Sequence, residues 1–192
     1  MDPRPRIHIT GASGTGVSTL GAALSARLGC VHLDTDDFYW LPTDPPYREV
    51  RARPERLRMI AEAMSSADSG CVLSGSLDGW GDPLIPCFEQ VVFLSAPTDI
   101  RLSRLRARER QRYGGAIAPG GSLEQNHRDF LAFAEGYDTG VFTGPLAGRH
   151  RARHEAWLGS LPCLVLRLDG AESTESLVRA VLQAQPVLTK RG

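Results

Sequence analysis

The sequence predicts a three-layer α/β fold: a parallel sheet of about five strands, helices on both of its faces, and a small helical lid. Two observations carry this expectation. Short apolar segments alternate with segments of helical spacing along the chain, the pattern of strand–helix–strand crossovers in a parallel sheet. A glycine-rich turn, Gly11-Ala12-Ser13-Gly14-Thr15-Gly16-Val17-Ser18, joins the first strand to the first helix. In that context backbone N–H groups at a helix N-terminus gather around phosphate.

Taken in order, Ile7 and Ile9 alternate with polar residues and predict the first strand, while Leu20, Ala23, Leu24 and Leu28 recur at helical spacing. A second strand over 31–33 runs into Asp34-Thr35-Asp36-Asp37. Leu57, Ile60, Ala61 and Met64 mark a helix that starts after Pro54, and Cys71-Val72-Leu73 is the third strand. Residues 91–94 are wholly apolar, as a strand buried on both faces requires. Pro97-Thr98-Asp99 opens an arginine-rich helix, 164–168 is the last strand, and a final helix spans about 173–183. There is no internal repeat, and the Pro/Gly-rich stretches near 42–46 and 114–121 read as loops. One domain over 1–192 is expected, with its lid at about 113–140. Ligand sites in such a sheet lie at the carboxyl ends of the strands.

Composition narrows the function. Hydrophobic residues are 42% and charged residues 23%, and no apolar run approaches the roughly 20 residues of a membrane span. The start, Met1-Asp2-Pro3-Arg4-Pro5-Arg6, has no apolar stretch of a secretory signal, so a cytoplasmic protein without a membrane partner is expected. A formal net charge of zero argues against a nucleic-acid partner. Cys30, Cys71, Cys87 and Cys163 are scattered and read as small buried residues rather than a zinc site or a disulfide framework. His8, His32, His127, His150 and His154 show no ligand spacing. Of 22 basic residues one is Lys, Lys190 in the C-terminal tail, and the other 21 are Arg. Phosphate chemistry here must rest on arginine.

The glycine turn fits G-x-x-x-x-G-K-[ST] at every position but one, since Val17 stands where the lysine belongs. Gly11, Ser13, Gly14, Thr15, Gly16, Val17, Ser18 and Thr19 are the expected nucleotide contacts, with the Ser18 hydroxyl as the Mg²⁺ ligand. A ligand-free glycine turn is the plain alternative. Without the lysine a point charge near the β- and γ-phosphates is lost, which weakens the case for chemistry more than the case for binding. A nucleotide-binding regulator without catalysis therefore remains a rival, as does a simple NTPase.

Asp34-Thr35-Asp36-Asp37-Phe38-Tyr39-Trp40 places three carboxylates and three rings at the end of strand two. Transfer to a hydroxyl needs a carboxylate that positions the attacking oxygen. Asp36 is assigned that role, with Asp37 and Tyr39 as acceptor contacts; helix capping and local packing are the alternative. Arg101, Arg104, Arg108 and Arg112 recur three or four apart, so they share one helix face. Repulsion along that face is relieved if phosphates visit it, although a solvated face balanced in part by Glu109 also fits. Tyr113-Gly114-Gly115-Ala116-Ile117-Ala118-Pro119-Gly120-Gly121 has the composition of a hinged lid. Arg128, Arg149, Arg151 and Arg153 are further candidates, and Asp78 after strand three is a candidate for the metal or the acceptor.

Together these residues resemble the nucleoside and nucleoside-monophosphate kinases among P-loop proteins, the adenylate-kinase-like ATPases, over nearly the whole chain. Gly14-Thr15-Gly16-Val17-Ser18-Thr19 resembles the GSGTTT loop of archaeal-type cytidylate kinases, which also lack the lysine. Asp36-Asp37-Phe38-Tyr39 resembles the D-S-F-Y segment of uridine kinases, which implies a catalytic role for Asp36. Arg104-Leu105-Arg106-Ala107-Arg108 is similar to the start of the adenylate kinase lid, which implies that Arg104 and Arg108 contact nucleotide and phosphates, with Arg112 by extension. Leu168-Asp169-Gly170-Ala171 looks like the loop that borders adenine. The sequence departs at Leu73-Ser74-Gly75-Ser76, where adenylate kinases carry an acid. The resemblance implies a P-loop NTPase fold that binds ATP and Mg²⁺ and transfers the γ-phosphoryl to a hydroxyl or phosphate group of a small-molecule acceptor. The choice of acceptor depends on side chains that a sequence does not place in space.

Overall fold

The computed structural model describes residues 4–184. Five strands, β1 (Arg6–Gly11), β2 (Val31–Asp34), β3 (Cys71–Ser74), β4 (Gln90–Ser95) and β5 (Leu164–Asp169), pair in parallel in the order β2-β3-β1-β4-β5. Seven helices are present among the described residues: α1 (Val17–Leu28), α2 (Thr35–Tyr39), α3 (Arg53–Ser65), α4 (Thr98–Tyr113), α5 (Glu124–Glu135), α6 (Arg151–Gly159) and α7 (Thr174–Gln183).

Each interior strand sends alternate residues to opposite faces, and both faces are buried because both are covered, apolar apart from His8 and Thr10 of β1, Ser74 of β3 and Gln90 of β4. Ile7, Ile9, Val72, Val92 and Leu94 meet Leu20 and Leu24 of α1 and Leu177 and Val181 of α7. On the other face Cys71 and Leu73 pack on Ile60 and Met64 of α3, while Val91 and Phe93 pack on Leu158 of α6. Burial contributes about 1.5–3 kcal/mol for each such side chain. β1, buried along most of its length, ends between β3 and β4, where the strand order changes direction; the crevice at that point is where such sheets bind ligands.

The predicted strands are all present, each extended by a polar or small residue that completes the ladder. The last helix starts where expected, because the Ser173 side chain caps it by accepting from the Ser176 N–H at 3.2 Å. Two elements were not anticipated, α6 and a 3-10 turn over Asp82–Cys87, whereas the short α2 is the helix that the capping alternative for the acids after β2 implied, with Asp34 as its cap. Cys71 alone of the four cysteines is buried; Cys30 and Cys163 are half-buried, and Cys87, at the end of the 3-10 turn, is exposed. The expected lid segment holds one 3-10 turn, Gly114–Ile117, followed by α5, whose Phe130, Leu131 and Ala134 rest on Leu102 and Leu105 of α4. No helix among the described residues is long and apolar enough to cross a membrane. Lys190 lies outside the described residues.

Two histidines are buried at the central strand β1. His8 Nδ1–H donates to the Leu73 carbonyl at 2.9 Å, and burial, reinforced by Arg149, lowers its pKa from 6.5 to about 4. The His154 ring is hydrogen-bonded on both nitrogens, to Thr10 Oγ1 at 3.2 Å and to the Tyr137 hydroxyl at 2.9 Å; burial, then Arg149, lowers its pKa to about 3. Both rings are neutral when folded and take up protons when unfolded, so stability is lost as pH falls below about 6.5. The denaturant midpoint should drop between pH 7 and pH 5, and His154→Gln should flatten that slope by about one proton. An unchanged slope in the variant would place the acid sensitivity elsewhere.

Candidate functional site

The glycine loop is held by close packing of backbone on backbone. Gly14 takes φ 87°, and a Cβ there would lie 2.6 Å from the Arg101 carbonyl oxygen; a Cβ at Gly11 would lie 2.5 Å from that of Leu94. No other residue type fits either place. Thr15 is buried and its hydroxyl donates to the Ala12 carbonyl at 2.8 Å, which closes the loop. Val17, the first residue of α1, packs into the apolar core with Leu20 and Leu24. Ser13 and Gly14 meet α4 through Arg101, while Ser18 and Thr19 are exposed on the first turn of α1.

Ser18 Oγ donates to Asp34 Oδ2 at 2.6 Å, and Ser74 Oγ donates to the same oxygen at 3.2 Å. Asp34 Oδ1 accepts from the Asp36 N–H at 3.0 Å and so caps α2. One carboxylate thus ties the phosphate loop to β3 and starts the helix that bears Asp36. A hydroxyl and a carboxylate of this kind are hard oxygen donors, the set that Mg²⁺ accepts alongside nucleotide phosphates and water. Asp34 stands on the strand next to β3, in register with Ser74, beside the segment where the sequence lacks an acid.

Asp36 keeps contact with solvent, yet the protein packed around it and the Asp34 charge hold its carboxyl above the usual range, against the Trp40 side chain, Arg149 and Arg108, which favour the ionised form. Asp37 is exposed and is raised by partial burial and by Asp34. Tyr39 stacks edge-on with Trp40 and Trp80, ring centroids 4.9 and 5.7 Å apart, and the Arg56 guanidinium lies 4.3 Å from the Tyr39 ring and 4.7 Å from the Trp80 ring. The Asp78 side chain is 5% exposed and pairs with Arg153 Nε at 3.1 Å.

The arginine face divides by burial. Arg101 is fully buried and does not meet a ligand: it donates to the carbonyls of Ala96 (3.3 Å), Ser13 (3.3 Å) and Ala134 (3.0 Å) and to the Thr98 hydroxyl (3.2 Å), and pairs with Asp138 at 2.6 Å. It belongs to the frame, because α4 turns this position inward against the loop. Arg104 donates to the carbonyls of Gly170 at 2.7 Å and Thr15 at 3.5 Å, so it bridges the phosphate loop and the segment after β5. Beside it a cavity of about 180 Å³ is lined by Thr15, Gly16, Thr19, Gly170 and Glu172. Arg108 pairs with Glu109 at 2.9 Å, lies 5.8 Å from the Phe130 ring and acts on Asp36 through its charge. Arg112 is exposed on the last turn of α4.

Two residues hold places beside the site that the reading of the sequence did not assign them. Asp34 appeared only as part of an acidic cluster; its place as the last residue of a parallel strand was the available signal. Arg56 gave none, being one arginine among many on an amphipathic helix.

A family model described as an AAA domain, AAA_18, matches residues 7–126. The Bacillus subtilis (strain 168) uncharacterized protein YqaC is 45% identical over 179 residues, which is 93% of this chain and 96% of the relative. Among solved structures, shikimate kinase from Bacteroides thetaiotaomicron superposes with a TM-score of 0.57 at 19% identity, covering 93% of this chain and 97% of that one. A sugar kinase from Janibacter sp. HTCC2649 gives 0.53 at 18% identity and 94% coverage of each chain. These two likenesses show the fold, that of P-loop kinases.

Removing Arg101 leaves Asp138 and the loop carbonyls without their shared partner. Arg101→Ala should cost about 3–5 kcal/mol, the range for breaking a buried ion pair from one side, and should weaken nucleotide binding with it. Chemical denaturation and an ATP titration read the two losses.

Proposed function

Since the chain belongs to the AAA domain family represented by AAA_18 and folds as a P-loop kinase, we propose that it is an ATP-dependent small-molecule kinase. On this reading it transfers the γ-phosphoryl of ATP to a hydroxyl or phosphate acceptor, with Mg²⁺ held at Ser18 and Asp34. The observation that carries the reading is the Ser18–Asp34–Asp36 chain, in which one carboxylate both touches the phosphate loop and fixes the helix that bears a second, solvent-reached carboxylate. A regulator that only binds nucleotide has no use for that second acid.

ATP·Mg²⁺ supplies the phosphoryl group and screens its charge when bound. Gly11, Ser13, Gly14, Thr15, Gly16, Val17, Ser18 and Thr19 present backbone and hydroxyl donors to the phosphates. Arg104 orders the Gly170 segment that borders the base. Asp36 accepts the hydrogen of the attacking hydroxyl and aims its oxygen; positioning outweighs basicity in a loose transition state. Arg108 supplies the mobile positive charge that Val17 does not, and Arg112 extends it. Asp37 and Tyr39 contact the acceptor, and Asp78 acts through Arg153. The α5 segment closes the site against water.

The buried Val17 favours one rival, a nucleotide-binding regulator. ATP consumption with Mg²⁺ across nucleosides, nucleoside monophosphates and sugar acids separates the two. Acceptor-dependent turnover should fall about 10²–10⁴-fold in Asp36→Asn and about 10²–10³-fold in Arg108→Ala. Tight nucleotide binding with no acceptor-dependent turnover would leave the regulator. In the wild type the acid limb of turnover should lie above the usual carboxylate range, because Asp36 gives up its proton late.

A further inference from the structure

A second cavity lies at the carboxyl ends of β4 and β5, lined by Ser95 and Asp169 at the strand ends and by the turn into α4. Its volume of about 440 Å³ falls in the range of small-molecule pockets. It shares no lining residue with the smaller cavity beside Arg104, and none with the groups assigned above to nucleotide, metal or acceptor. Ala12 is the one residue of the glycine loop in its wall.

The wall is apolar at Phe93, Ala96 and the Tyr137 ring, and it carries two cations, Arg101 and Arg151, and two carboxylates, Asp138 and Asp169. The charges balance in number, yet they are unequally engaged. Arg101 is buried and spends its donors on the frame of the phosphate loop. Asp138 Oδ2 accepts from the Thr98 hydroxyl and from Arg101. Partial burial works against the charge of Asp138, but those two bonds and the charges of Arg101 and Arg151 hold its carboxyl below the usual range. Asp138 Oδ1 meets Arg151 Nη1 at 3.5 Å, longer than a charge-assisted hydrogen bond. Asp169 Oδ1 accepts from the Ala171 N–H at 2.9 Å, and among the described residues no cation pairs with this carboxylate. The Arg151 guanidinium is half-exposed and makes no hydrogen bond among the described residues. One free guanidinium and two carboxylates with oxygens to spare thus line a single cavity with an apolar wall.

We propose that this cavity binds a small zwitterion, a free α-amino acid, with its ammonium group at Asp138 Oδ1 and Asp169, its carboxylate on Arg151, and its side chain against Phe93, Ala96 and Tyr137. An ammonium group carries three donors for carboxylate oxygens, and a guanidinium fork matches a carboxylate. A ligand of zero net charge but opposite ends leaves the balanced wall balanced while it answers each free group. A net anion would leave the two acids facing it, and a neutral polyol would answer none of the charges.

The site stands apart from the kinase reading, which its test leaves untouched. The L-amino acids are titrated singly by calorimetry into the full chain, alone and saturated with a non-hydrolysable ATP analogue and Mg²⁺. At least one should bind with a Kd below about 1 mM, and binding should persist with the analogue present. Its N-acetyl derivative, which lacks the ammonium group, and its amide, which lacks the carboxylate, should each bind tenfold or more weakly. Arg151→Gln should erase the preference over the amide, and Asp169→Asn the preference over the N-acetyl form; both side chains are exposed, so both variants keep the fold. Failure of every amino acid to bind, equal binding of the blocked derivatives, or affinity unchanged in both variants would overturn the proposal. So would displacement of the amino acid by the analogue, which would put it in the phosphate site instead, or tighter binding of D-glucose, which would mark a polyol pocket.

Discussion

The guanidinium of Arg101 is the constraint on which the site depends. Five hydrogen bonds and ion pairs from one buried side chain hold together the glycine loop at Ser13, the corner between β4 and α4 at Ala96 and Thr98, the end of α5 at Ala134, and Asp138 beyond it. A buried cation is tolerated only when its donors are satisfied, and here they are satisfied by the segments whose relative placement defines the phosphate site. The close approach of Gly14 to the Arg101 backbone belongs to the same contact. Loop and helix are fixed to one another without any ligand.

With that frame set, the placement of charge follows. The position of the usual loop lysine is apolar and packed, and on the proposed reading positive charge reaches the phosphates from α4, one turn beyond Arg101 and further, where the helix emerges from the core. The carboxylates come from the opposite side, at the end of β2. Asp34 links them to the loop through Ser18, and its hydrogen bond to the Asp36 N–H decides where α2 begins. Two elements on either side of β1 thus converge at the point where the strand order reverses.

Much of the fold was legible because its physics is periodic. Alternating apolar residues gave β1, helical spacing gave α1 and α3, and an unbroken apolar run gave β4. α2 was legible only as the capping alternative for its acids, being five residues fixed by the Asp34 cap, and α6 was not legible at all, since it buries one narrow stripe, His154 and Leu158, too short for a periodic signal. Within the site, motif residues were found because the loop has a recognisable spacing. Arg101 was grouped with the arginines around it because spacing along a helix does not say which turn meets the core. Arg56 and Arg149 owe their character to loss of solvent and lack of partners, properties that exist only in three dimensions.

Calorimetric titration of ATP with and without Mg²⁺, into the wild type and Asp34→Asn, tests most directly whether the nucleotide site is built on the Ser18–Asp34 pair in place of a lysine. The account predicts that Mg²⁺ tightens ATP binding to the wild type tenfold or more and that Asp34→Asn removes this gain while metal-free binding persists. ATP affinity that ignores both the metal and Asp34 would contradict it.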